Sequence, residues 1–221
     1  MSSSLFLNRI YIPIIKINVI DMKKNLTNKI HLSPSNLIAS GRQRACYQHP
    51  AHDELCIKVH LSGRDDKETL REVRYYKRLY RKSLTTKVIS HYYGTQETNY
   101  GLGYVFQLVK DKTGNVSHTL DYYLKNKDLF LKHKKNMKIA YEQFKKMVYK
   151  EAIVTMALKT YNIVYQLGYK PHGQFIIIDN LGSPNFIPLD YFSTTIARST
   201  LNRRFTDFEK RLFRDHQIKI Q

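Results

Sequence analysis

At 221 residues the chain can build one sizeable core or two closely packed lobes, but not two independent domains of ordinary size. A hydrophobic content of 42% with 25% charged residues argues against disorder over the whole length, and thirty-seven Lys and Arg against eighteen Asp and Glu leave a net charge of +19. Such an excess points to a polyanionic neighbour: RNA, the ribosome, an acidic membrane surface or phosphate-bearing ligands. Cys46 and Cys56 lack a CxxC or His partner spacing, which argues against a disulfide framework or zinc site and fits reduced core filler in a cytoplasmic protein.

The first stretch, Leu5 to Ile20, is apolar but broken by Asn8, Arg9, Pro13, Lys16 and Asn18, so neither a transmembrane segment nor a secretory signal is expected there. Met22-Lys23-Lys24-Asn25 would serve as an alternative start, and residues 1–29 are read as an arm or alternative beginning ahead of one domain over 30–221. Ile30 to Ser40, Ala45 to Tyr47 and Leu55 to His60 read as three strands around a Gly41-Arg42-Gln43-Arg44 turn. Asp65 to Arg81 predicts an amphipathic helix, with Leu70, Val73, Tyr76, Leu79 and Tyr80 at helical spacing behind an acidic first turn. Val88 to Tyr93 and Leu102 to Val109 read as two further strands about a Gly94 to Gly101 loop. Ser117 is the expected cap of the next helix, followed by a basic helix over about Asn136 to Ile153, short apolar pieces at 154–157, 163–166 and 175–178, and a last helix over about Asn202 to Phe213.

The order of these elements resembles a protein kinase, in which a lysine of the third strand holds the ATP phosphates and a glutamate of the next helix holds the lysine. Lys58 in Cys56-Ile57-Lys58-Val59 and Glu72 match that pair. Downstream, Ala157 to Asn162 has the spacing of the D-x-x-x-x-N catalytic loop, and Asp179 follows an apolar strand as a magnesium ligand of that fold would. Taken singly, a strand lysine is more often solvated, and Asn162 or Asp179 could be turn formers; the joint order favours the functional reading.

The segments 41–50, 56–59, 72–76, 117–120, 178–182 and 186–189 and the closing Arg203-Arg204-Phe205 resemble the bacterial YrbL family of the PhoP regulatory network, over roughly residues 30–215. The resemblance implies an α+β, two-lobed, protein-kinase-like fold. Its N-lobe, about 30–108, would carry a five-stranded sheet and a helix, and a reduced helical C-lobe would cover about 109–221. The expected ligands are ATP and Mg2+. Gly41, Arg42, Arg44, Lys58, Glu72, Gln107 and Val109 would serve the nucleotide, Asn162 and Asp179 the metal, and Ala157 and Lys159 the catalytic loop.

Ala157 departs from the pattern, because alanine cannot take or orient the proton of an acceptor hydroxyl, a loss on the order of 10²- to 10⁴-fold. It reads either as a natural pseudokinase or as an Asp-to-Ala substitution in an active kinase, and the completeness of Lys58, Glu72, Asn162 and Asp179 favours the latter. The expected function is transfer to a protein hydroxyl, in one version by a growth-inhibiting toxin kinase with an antitoxin or regulatory partner. The alternatives are a kinase of small molecules or lipopolysaccharide sugars, and a nucleic-acid or ribosome binder using Lys77 to Lys82, Lys132 to Lys135 with Lys138, Lys145-Lys146 with Lys150, and Arg203-Arg204. His60, His91, His118 and His172 are read as surface or turn residues.

Overall fold

A computed structural model describes residues 29–63, 65–82, 84, 86–185 and 187–218. The arm expected at the start of the chain falls, but for its last residue, outside them. The chain is α+β. Strands β1 (Leu37–Ser40), β2 (Arg44–Gln48), β3 (Leu55–His60), β4 (Tyr92–Thr98) and β5 (Gly101–Gln107) form a five-stranded sheet in the order β1-β2-β3-β5-β4, every neighbouring pair antiparallel.

β3 is buried on both faces. Its alternation sends Leu55, Ile57 and Val59 to a small core with Leu32, Ala45 and Val105. Cys56, Lys58 and His60 therefore take the other face, toward helix α1 (Lys67–Arg81). α1 turns Glu72, Val73, Tyr76 and Leu79 inward at helical spacing. Tyr76 packs 5.7 Å from the Phe106 ring and donates its hydroxyl to the Ser90 carbonyl at 2.8 Å, so a large ring is buried without stranding its polar end.

Several strand boundaries differ from expectation: of the strand read over Ile30 to Ser40 only Leu37–Ser40 is β1, because Ser33 caps a 3-10 turn over Pro34–Asn36 with the proline at its first position. The segment read as a Gly94 to Gly101 loop is mostly β4: Thr95 and Glu97 face solvent while Gln96 and Thr98 are buried, the alternation of an edge strand written in polar residues. Of the strand expected at Val88 to Tyr93, Tyr92 and Tyr93 belong to β4, whereas Ile89 makes a single parallel bridge to Ile177. That bridge joins the sheet half to the helical half.

The helical half holds a short α2 (Leu120–Lys125), the long α3 (Lys127–Lys150), a two-stranded antiparallel hairpin of β6 (Ile163–Gln166) and β7 (Gln174–Ile177), and α4 (Thr194–His216). Thr119, not Ser117, caps α2 by accepting from Tyr122 N; the Ser117 hydroxyl instead bonds Asp111 at 2.5 Å. α3 starts well before Asn136 because Asn126 caps it, and α4 starts before Asn202 because Ser193 does. Both early turns carry few buried side chains, so apolar spacing did not mark them. Tyr141 and Tyr149 of α3 stack on Phe208 and Phe205 of α4 respectively, and Tyr141 and Phe144 meet Phe205 edge-to-face. One core cluster contains Tyr76 and Phe106 of the sheet half together with Phe144 and Phe205 of the helical half.

Candidate functional site

The β2–β3 register pairs Arg44 with His60 and Cys46 with Lys58, which sets Arg44 and Lys58 on the same face. Lys58 is 8% exposed and lies over the Phe106 ring at 4.4 Å. Its Nζ donates to the Ile178 carbonyl at 2.7 Å and stands 3.9 Å from Asp179 Oδ2. Arg44 donates through Nη1 and Nη2 to Glu72 Oε2, at 3.2 and 3.3 Å, and through Nη2 to Asp179 Oδ1. Two cations and two carboxylates are thus sunk between sheet, α1 and the segment after β7. Glu72 meets Arg44 rather than the Lys58 that sequence spacing suggested, because the guanidinium fork spans both acids at once.

The segments that carry Ala157 and Asp179 are tied to each other. Met156 N donates to the Asn180 carbonyl at 2.9 Å, and the Thr155 hydroxyl to the same oxygen at 2.8 Å. Ile178 N donates to the Asn162 carbonyl at 2.9 Å, which seats the buried Asn162 beside the residue preceding Asp179. The outer anchors come from two helices: the Tyr75 hydroxyl of α1 accepts from Val154 N at 2.8 Å, and Arg211 of α4 donates to the Leu158 carbonyl at 2.8 Å. Sequence reading missed both Tyr75 and Arg211. Tyr75 sits one helical turn from Glu72 on the buried stripe, a signal present but not distinguishable from core packing; Arg211 carried none.

Electrostatics follow from this burial. Burial and the nearby Asp179 charge push Glu72 up to about 7, against the pull of Arg44 and Lys58. Burial would raise Asp179 too, but Lys58 and Arg44 hold it well below the usual carboxylate range. For Arg44, burial acts to lower the pKa and is outweighed by Asp179 and Glu72, which raise it. Asp179 therefore stays ionised under physiological conditions, and Arg44 stays charged.

Of the expected site residues, the structure brings together Arg44, Lys58, Glu72, Asn162 and Asp179. Gly41 and Arg42 are exposed at the β1–β2 turn, where Gly41 N donates to the Arg44 carbonyl at 2.8 Å. Gln107 ends β5, its backbone N donating to the His91 carbonyl at 2.8 Å. Val109 is buried with Val164 and Ile176 in a small apolar cluster against which Ile178 packs. Ala157 and Lys159 line an open pocket of about 300 Å³ together with Arg211, Leu212 and His216 of α4. A wider depression of about 460 Å³ lies by His133, Asn136 and the β6–β7 turn and touches none of these residues.

His60 and His91 are half-buried rather than surface residues, and both imidazole nitrogens of His60 are buried without a hydrogen-bond partner. The basic runs are partly spent on the protein itself: Lys145 pairs with Glu209 at 2.8 Å, Arg78 bonds the Tyr191 carbonyl, and Arg204 is half-buried.

Among the described residues no group of three His, Cys, Asp or Glu could hold a metal by itself. Mg2+ is commonly held by one or two protein oxygens plus substrate phosphates, and the Asp179 carboxylate, 29% exposed at its side chain, is compatible with such a role. No helix of the described residues is long and apolar enough to cross a membrane.

Fold and cluster together define an α+β protein with a lysine–arginine–carboxylate centre between a five-stranded antiparallel sheet and a helical half. A family model described as PhoP regulatory network protein YrbL matches residues 30–213, and the chain belongs to that family. Protein YrbL of Escherichia coli (strain K12) is 33% identical over 166 residues, 74% of this chain and 79% of that protein. Protein YrbL of Shigella flexneri is similar to the same extent.

Proposed function

We propose that the cleft binds ATP with Mg2+ and that the protein is kinase-like, with phosphoryl transfer suppressed by the alanine at 157. The observation that carries this reading is the buried Lys58 ammonium held 3.9 Å from the Asp179 carboxylate, with Asn162 hydrogen-bonded to the adjoining residue. A strand lysine and a metal-binding acid brought together from opposite halves of the chain are what phosphate positioning requires. In this reading Lys58 takes the phosphates and Glu72 fixes the cation cluster. Asp179 and Asn162 would hold Mg2+, and the apolar cluster of Val109, Val164 and Ile176 would face the base. ATP, when bound, supplies the phosphoryl group. Ala157 ends in a methyl group, which neither removes a proton from an acceptor hydroxyl nor orients it, so binding is retained and turnover is slow.

The test is a thermal melt with and without Mg·ATP. A ligand that binds only the folded state stabilises it by about 2.7 kcal/mol at a hundred times Kd, so the melting temperature rises by several degrees. Labelled phosphate transfer from ATP by the Ala157→Asp variant, first to itself and then to candidate proteins, reports on transfer separately. No shift with a folded protein counts against nucleotide binding, whereas a shift without transfer by the variant counts against the kinase assignment alone.

A further inference from the structure

Arg44 does not stand where a simple strand lysine–helix glutamate pair would leave it. Its side chain, 13% exposed, is shared between two carboxylates that differ sharply in environment: Glu72 is 1% exposed and Asp179 is 29% exposed. Both terminal nitrogens of the guanidinium donate to the same Glu72 oxygen, and one of them also bonds Asp179 Oδ1. Glu72 is fixed by burial, with its other oxygen 3.4 Å from Leu181 N. Asp179 opens toward solvent. Lys58 is occupied with the Ile178 carbonyl at 2.7 Å and stays near the second Asp179 oxygen. His60 is paired with Arg44 across the ladder, and Cys46 lies on the same face.

This asymmetry makes one of the two bonds exchangeable. A phosphate offers a guanidinium the same bidentate oxygen pair as a carboxylate, and with more charge. Arg44 can swing from Asp179 to a phosphate while keeping its hold on Glu72, and the swing bares the Asp179 oxygen that a cation would use.

We propose that Arg44 is an exchange residue, capping Asp179 until a nucleotide phosphate draws it away, so that the Mg2+ site at Asp179 is uncovered by the phosphate itself. This rests on the nucleotide-binding reading above and adds an order to it: phosphate first, cation second. Nucleotide then binds appreciably without metal, because Arg44 and Lys58 supply two positive charges. Arg44 compensates in this way for a turn that holds the single glycine Gly41 where a backbone cradle would need several.

Calorimetric titration of ATP, in EDTA and in Mg2+, into wild type, Arg44→Met and Lys58→Met tests the proposal. Wild type should bind in EDTA within about 10-fold of its affinity in Mg2+, the enhancement being small because Arg44 already neutralises the site. Arg44→Met should lose on the order of 10- to 100-fold in EDTA, the worth of a charged hydrogen bond, and much less in Mg2+, since the cation then neutralises a bared Asp179. The signature is a metal enhancement widened by about 10-fold or more. An equal loss with and without Mg2+, or no loss, overturns the exchange. Arg44→Lys retains the charge without the fork and should show the same widening in smaller measure; if Arg44→Met fails to fold, an unchanged ratio in Arg44→Lys overturns the proposal equally well. Binding by wild type that is lost in Lys58→Met, with a ratio indifferent to Arg44, removes the exchange and leaves the nucleotide reading standing. No binding by folded wild type in either buffer removes both.

Discussion

In the sheet half, Arg44, Lys58 and Glu72 are placed by strand register and helical spacing, and their charges are sunk against Phe106 and α1. In the helical half, the 154–158 loop is placed by isolated hydrogen bonds to Tyr75, Arg211 and the Asn180 carbonyl, and within it Ala157 presents a methyl group. On the proposed reading, the sheet half supplies the charges that would grip a polyphosphate. The helical half supplies an anchored loop whose residue 157 has no proton-accepting side chain. On that reading binding and transfer are separable, and substitutions in the two halves should separate them.

The largest effect is expected from placing a carboxylate at position 157. Ala157→Asp should raise phosphate transfer by about 10²- to 10⁴-fold, read as incorporation of label from ATP, with little change in nucleotide affinity. No increase would mean that the helical half lacks more than a base. Next comes Phe205→Ala, which opens the aromatic core between α3 and α4. It should cost about 3–5 kcal/mol in denaturant unfolding. Since Phe205 shares a core cluster with Tyr76 and Phe106, the sheet half should melt with the helical half in one transition. Two separated transitions would break the picture of a common core. Tyr75→Phe removes the acceptor for the Val154 amide without changing shape, and a loss of about 1–3 kcal/mol is expected for the stranded donor.

The smallest effect concerns pH. Burial, with a contribution from His52, holds His49 down to about 4, and its Nδ1 accepts from Ala51 N at 3.1 Å, which requires the neutral ring. The unfolded chain binds that proton near 6.5, so this contribution is complete above about pH 6.5 and is lost as pH falls toward 4. Glu72, raised to about 7, works in the opposite sense between 4.5 and 7, so the readout is the difference between proteins. His49→Asn, which keeps an acceptor and takes up no proton, should show a shallower loss of melting temperature over pH 6.5 to 4 than wild type.

Much of the sheet half was legible because its pattern is physical at short range: Leu55, Ile57 and Val59 alternate with Lys58, and Glu72 falls on the buried stripe of α1. The Arg44–Glu72–Asp179 triangle was not, since it depends on which of two cations on one face reaches the acids first, and a guanidinium outreaches an ammonium that has bonded Ile178. β4 was hidden by polar residues on an edge strand. The early turns of α3 and α4 were hidden because they are held by caps at Asn126 and Ser193 rather than by buried side chains. In the loop of Ala157 the spacing to Asn162 was readable, while Tyr75 and Arg211, which hold it, come from helices remote in sequence.

The most direct test of the account is calorimetric titration of Mg·ATP into wild type and Lys58→Met, with folding of both checked by circular dichroism. The account predicts one-to-one binding by wild type and an affinity lower by about 10- to 100-fold in the variant. Absence of binding by folded wild type, or equal affinity in the two proteins, would contradict it.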